Sequence, residues 1–186
     1  PKQKEIAELV FNEVKAFGKG VEAWMSSDYY VYIKVESNTV KDVPTLCLMA
    51  HLDETPEVNA IGRKLQVINN YDGKNIPLGT TGLELSPDST QGIHLKDVVG
   101  HTIVTSDGTT NTGADDKSGC AILVSLVETL VKDKSIKHGT VWVCLSQNED
   151  VGLAAYRIDM SYFGTTPPDL MIDVDGDDVW RYSVTT

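Results

Sequence analysis

The chain has 186 residues, 41% of them hydrophobic, and a formal net charge of −11 at neutral pH. That length and apolar content suffice for one compact α/β domain with its own core. The acidic balance excludes a nucleic-acid surface and leaves either a solvated acidic exterior or a cluster of carboxylates awaiting cations.

Residues 2–17 place Ile6, Leu9, Val10, Val14 and Phe17 near helical spacing, and Gly18 and Gly20 are expected to end that helix. "YYVYIKV" (29–35) and "TLCLMA" (45–50) read as strands, the second apolar on both faces and therefore central. Residues 54–100 break the pattern with many Gly, Pro, Asn and Asp, including "NYDGKNIPLG". So long an excursion is expected to contain ordered β structure rather than plain loop. "HTIVTSD" (101–107) then predicts a strand, 118–132 a helix, "TVWVCLS" (140–146) a buried strand, 151–163 a helical turn or more, and "DLMIDVD" (169–175) a last strand. The alternation implies an α/β fold with a mixed, largely parallel sheet flanked by helices. Cys47, Cys120 and Cys144 are odd in number, widely spaced and set in apolar runs, and so read as reduced core residues. With no signal peptide, internal repeat or membrane-length apolar run in the sequence, a soluble cytoplasmic protein without a membrane partner is expected. Pro1 stands where an initiator Met would, so the chain is expected to be a processed or excised piece of a longer protein.

In sheets of this kind chemistry gathers past the carboxyl ends of the strands. "TLCLMA" runs into His51-Leu52-Asp53, "VWVCLS" into Asn148-Glu149-Asp150, and "LMID" into Asp175-Gly176, while "GADDKSG" (113–119) opens the second helix with Asp115, Asp116 and Lys117. Four separate loops therefore deliver acid or imidazole. Each also has a plainer reading. Asp115 or Asp116 can serve as the N-cap of the helix that follows, His51 can be a satisfied core histidine, and Glu149 and Asp150 can be ordinary loop acids. "DVDGDD" resembles a calcium loop at Asp173, Asp175 and Asp177, but the sixth position is Asp178 rather than Gly and the twelfth is Val184 rather than Glu, which excludes an EF-hand. His94, His101 and His138 lie away from the strand ends and read as structural.

Taken together, "MAHLDETPEV", "NYDGKNIPLG", "VTSDGTTNTGADDKSG", "SQNED" and "VDG" resemble, in that order and over nearly the whole chain, the co-catalytic zinc exopeptidases and within them the peptidase T group of tripeptide aminopeptidases. The resemblance implies that His51 binds one zinc while Asp53 orients its ring, and that Asp115 bridges two zinc ions. Asp175 would complete the first site, Asp150 would bind the second ion, and Glu149 would act as general base, with Asp116 and Lys117 structural. It also implies a small peptide substrate. This chain departs from the family in having Glu149-Asp150 where a Glu-Glu pair is usual, and the family's last metal histidine would fall beyond Thr186. A lid and dimerisation domain, through which a homodimer would form, is likewise expected after about Thr186, and opening helical turns ahead of Pro1. Residues 1–186 are thus expected to be an incomplete catalytic domain holding one zinc or none by itself. The alternatives left open are a related zinc carboxypeptidase or deacylase, and a non-catalytic binding module of the same fold.

Overall fold

The computed structural model describes residues 3–176. In chain order the regular elements are α1 (Lys4–Ala16), β1 (Val21–Met25), β2 (Val31–Val35), β3 (Leu46–His51), β4 (Leu65–Ile68), β5 (Ile76–Pro77), β6 (Glu84–Leu85), β7 (Ile103–Ser106), α2 (Ala114–Lys132), β8 (Val141–Ser146) and β9 (Leu170–Asp173), with short 3-10 turns at Ile93–Val98, Ala155–Arg157 and Met160–Phe163. They fall into two units, one made of the segments up to Glu54 and from Ala114 onward, the other of Thr55–Gly113.

The first unit is built on a five-stranded sheet of order β1-β2-β8-β3-β9. β1 and β2 pair antiparallel, as do β2 and β8, whereas β3 runs parallel to both β8 and β9. The sheet is mixed, as the sequence predicts, and parallel where β8, β3 and β9 lie side by side. Strand alternation sends successive side chains to opposite faces. Val31, Ile33 and Val35 of β2 and Val141, Val143 and Leu145 of β8 join Ala7, Val10 and Val14 of α1 and Leu123, Val127 and Leu130 of α2 in one core. The residues between them, Tyr32, Trp142 and Cys144, meet Tyr30, Cys47 and Phe163 in a second, aromatic core on the other face. There Tyr32 stacks on Tyr162 with ring centroids 4.3 Å apart, and Phe163 stands edge-on to Trp142. All six residues of β8 are buried because it is covered on both faces.

Several boundaries differ from the sequence expectation for local reasons. β2 begins at Val31, since Tyr29 has a positive φ of 70°. β1 is an additional strand, whose half-exposed "VEAWM" carries little apolar alternation and is fixed by pairing Val21–Met25 against β2. The expected helical turn at 151–163 is two 3-10 turns. No helix among the described residues is long and apolar enough to cross a membrane.

The second unit has the β character expected of the excursion. β7 pairs antiparallel with β4 in a two-stranded ladder, and β5 with β6 in another. The strand predicted from "HTIVTSD" is therefore present as Ile103–Ser106 but belongs to this unit and not to the five-stranded sheet. Gly79 shows how tightly the backbone turns there. Its φ is 57°, and a Cβ would lie 2.8 Å from the carbonyl oxygen of Asp107.

Leu123 is 1% exposed at the centre of the helix-covered core, whereas Leu9 is 60% exposed on α1. Leu123→Ala is expected to cost about 2–5 kcal/mol of folding free energy, and Leu9→Ala less than about 0.5 kcal/mol, as read from urea denaturation midpoints.

Candidate metal centre

Parallel pairing of β3 with β8 and β9 aligns their carboxyl ends, with His51 level with Ser146 and Met49 level with Asp173. The loops that leave these ends therefore emerge together. From β3 come His51 and Asp53, from β8 Glu149 and Asp150, and from β9 Asp175. The first turn of α2 supplies Asp115 and Asp116.

His51 is the point of convergence. Its Nε2 lies 2.8 Å from Asp115 Oδ1, 3.7 Å from Glu149 Oε2 and 3.7 Å from Asp175 Oδ2. The other ring nitrogen, Nδ1, lies 3.2 Å from the backbone carbonyl oxygen of Asp53 and 3.5 Å from its carboxylate Oδ1. The neighbours of both ring nitrogens are acceptors, so the metal-free ring carries a proton on each, and Nε2 is the nitrogen that faces the carboxylates of Asp115, Glu149 and Asp175.

Asp53, 3% exposed, has a further task. Its two carboxylate oxygens accept the backbone N–H groups of Glu149, at 3.1 Å, and Asp150, at 3.2 Å. The same carboxylate thus lies beside the imidazole and anchors the turn that follows β8. Burial disfavours its charge, but His51 and the Glu149 amide outweigh that and hold its carboxyl below the usual range.

The paired acids of "GADD" divide the two readings between them. Asp116, 3% exposed, accepts the Gly119 N–H at 3.0 Å through Oδ1, which is the helix-capping role, and the His51 N–H at 3.2 Å through Oδ2. Burial raises its pKa to about 6 against the lowering effect of those two amides. Asp115 instead projects its side chain, 77% exposed, onto His51 Nε2. Asp115 and Asp116, joined by a cis peptide bond, both depart from helical φ and ψ, so the regular helix starts after them. Cys120, one turn on, reaches the carbonyl oxygen of His51 with its thiol at 3.1 Å.

The donor set fits a cation. Two groups of ligand atoms, from His51, Asp116 and Asp175 and from His51, Asp53 and Asp150, each lie within 4.8 Å of one another. Because the oxygens of Asp116 and Asp53 are committed to backbone amides, Asp115, Asp175 and Asp150 are the carboxylates better placed to turn onto an ion. Electrostatics point the same way. Burial disfavours the charged imidazole, yet Asp53 and Asp115 push His51 up to about 10. Burial also raises the pKa of Glu149, Asp150 and Asp173, opposed by His51 and reinforced in each by Asp175. Like charges crowded round one imidazole are what a bound cation would relieve.

The structure thus brings together His51, Asp53, Asp115, Glu149, Asp150 and Asp175. The bracing role of Asp116 towards His51 was not read from sequence; its position in "GADD" signals a cap but not a reach to β3. Asp177, Asp178 and Val184, used above to exclude a calcium loop, lie outside the described residues. His94 meets Asp97 at an exposed position in the second unit, and His138 precedes β8, at the opposite end of that strand from the acids.

The fold that carries this acid and imidazole cluster is shared by solved peptidase structures. The chain superposes on an aminopeptidase PepT from Bacillus cereus with a TM-score of 0.63 at 20% identity, over 95% of this chain and 39% of that one. It also superposes on a tripeptidase from Staphylococcus aureus with a TM-score of 0.58 at 20% identity, over 93% and 38%. By sequence it is 38% identical to a Peptidase T of Alkaliphilus oremlandii over 95% of this chain and 42% of the relative, and 35% identical to one of Staphylococcus carnosus over 87% and 38%. Nearly the whole chain is thus similar to part of peptidase T. It spans about two-fifths of the length of these curated relatives. No family model matches it.

Replacing Asp53 by Ala would leave the Glu149 and Asp150 amides without their acceptor, at an expected cost of about 1–3 kcal/mol. Amide hydrogen exchange at 149 and 150 should quicken while exchange in α1 stays slow. Unchanged protection at both amides would show that another group anchors the turn.

Proposed function

We propose that this chain carries the catalytic acids of a metal-dependent aminopeptidase that releases the N-terminal residue of tripeptides. The observation that carries the reading is the convergence on His51 Nε2 of Asp115, Glu149 and Asp175, each from a different element. In this reading His51, Asp115 and Asp175 hold one ion, and Asp115 and Asp150 contribute to a second, both zinc. When bound, the ions supply Lewis-acid polarisation of the scissile carbonyl and a more acidic water. Glu149 takes the proton of the attacking water on its carboxylate and passes it to the departing amine. Asp53 keeps the His51 ring in the tautomer that presents Nε2, and Asp116 ties the His51 backbone to α2.

The substrate is a small peptide, with no nucleic-acid or membrane partner. The groups that grip its termini, the last metal histidine and a lid domain through which the protein dimerises are proposed to lie in the length that the relatives have and this chain does not span. Three free, buried cysteines support a reducing, cytoplasmic setting.

In the whole protein, Glu149→Gln is expected to retain zinc and to lose about a hundredfold or more in turnover of a tripeptide. Near-normal turnover would remove Glu149 from the role of base. For the 186-residue chain alone, one tight equivalent of zinc at most is expected after dialysis, with no tripeptide hydrolysis. A catalytic zinc generally draws about three protein ligands. The first ion has His51, Asp115 and Asp175, whereas the second has only the shared Asp115 and Asp150, whose side chain is one methylene shorter than Glu. Two retained equivalents, measured by elemental analysis, would mean that a further residue of this chain is a ligand.

A further inference from the structure

Lys117 sits where local preference would not put it. It follows the capping Asp116 in the first turn of α2, at the positive end of the helix dipole, which favours acids over cations. Its ammonium is instead turned onto the segment that follows β3. There it pairs with the Glu54 carboxylate and donates to the Leu52 carbonyl oxygen at 3.4 Å. The Glu54 side chain is 8% exposed and that of Lys117 29%. A carboxylate so withdrawn from water requires a cation beside it.

The pair joins two particular pieces of chain. Leu52–Glu54 continues directly from His51 and includes Asp53, while Lys117 continues directly from Asp115 and Asp116. Those pieces must be held in fixed register for His51 Nε2 and Asp115 Oδ1 to lie 2.8 Å apart. Two other contacts, His51 N–H to Asp116 and the Cys120 thiol to the His51 carbonyl, secure the backbone of the last residue of β3. The Lys117 contacts secure the segment beyond it. They also engage Glu54, a carboxylate next in sequence to Asp53, in a region already holding Asp115, Glu149, Asp150 and Asp175.

We propose that Glu54 and Lys117 are a positioning pair for the metal centre. Their ion pair sets the spacing between His51 and Asp115 and keeps the Glu54 carboxylate from entering the ligand cluster, and so fixes the affinity for the ion without touching it. This rests on the metal-centre reading above.

The test is zinc affinity of the whole protein, measured by competition with a chromogenic chelator, alongside the melting temperature of the metal-free protein. Glu54→Gln and Lys117→Met are each expected to weaken zinc by roughly 10- to 100-fold, the range for residues that support ligands from behind. Lys117→Arg, and the exchanged pair Glu54→Lys with Lys117→Glu, should recover most of that loss. Leu130→Ala, in the core away from the acids, serves as the control for general destabilisation. Zinc affinity equal to that of the unaltered protein in Glu54→Gln would overturn the proposal, as would a loss matched by Leu130→Ala at the same melting temperature. Should Lys117→Met fail to fold, the near-isosteric Glu54→Gln decides alone. Failure of the unaltered whole protein to bind zinc at all is a different result, and it would overturn the metal centre itself.

Discussion

The buried carboxylate of Asp53 is the constraint on which the candidate site turns. It follows a strand that has used its own backbone hydrogen bonds on β8 and β9, and it lies between two things that would otherwise be independent: the ring of His51 and the turn after β8. Burying an ionised group is costly unless hydrogen bonds replace its hydration. Asp53 meets that condition with two backbone amides, and an arrangement that satisfies it also fixes where Glu149 and Asp150 begin. Positioning the imidazole and positioning the neighbouring acids are therefore one energetic event.

The acids themselves are in tension with folding. Asp115, Glu149, Asp150 and Asp175 gather on one side of His51, and several carboxyls there have raised pKa values because burial and neighbouring charge both disfavour ionisation. The fold supplies partial relief through His51, which Asp53 and Asp115 push up to about 10 against the opposing effect of burial. A divalent cation would replace that proton as the balancing charge. The two acids of "GADD" show how the chain distributes the load. The buried one has both oxygens occupied by amides, while its neighbour remains exposed and directed at the imidazole.

The sheet and its helices were largely legible in the sequence because burial imposes periodicity. The apolar run of β8 and the helical spacing in α1 and α2 follow directly from which faces meet the core. β1 was not legible, since an edge strand of half-exposed residues is specified by its partner rather than by its own pattern. The strand at 103–106 was visible as a strand but not as a member of a separate ladder, because strand pairing between β4 and β7 depends on register and turns rather than on composition. At the site, residue types at strand ends indicated His51, Asp53, Glu149, Asp150 and Asp175, the family resemblance singled out Asp115 at the start of α2, and the fold gathers all six. The contacts of Asp116 with the His51 backbone and of Lys117 with Glu54 were not visible, because both cross between segments distant in sequence and involve residues whose nearest explanation is a helix start.

Local backbone conformation completes the placement of the acids. Asn148, between β8 and Glu149, has a φ of 63°, in the left-handed region that Asn tolerates better than most residues with a side chain. An extended continuation of β8 would alternate the following residues across the sheet and carry their amides onward along the strand. The left-handed step ends that alternation, and the Leu153 N–H closes the turn onto the Asn148 carbonyl at 2.9 Å. With the turn closed, consecutive amides of Glu149 and Asp150 both face the one carboxylate of Asp53. The position of the proposed base thus depends less on Glu149 itself than on the residue before it, which can leave the strand conformation at little cost, and on an acid from the neighbouring strand that receives the amides so exposed.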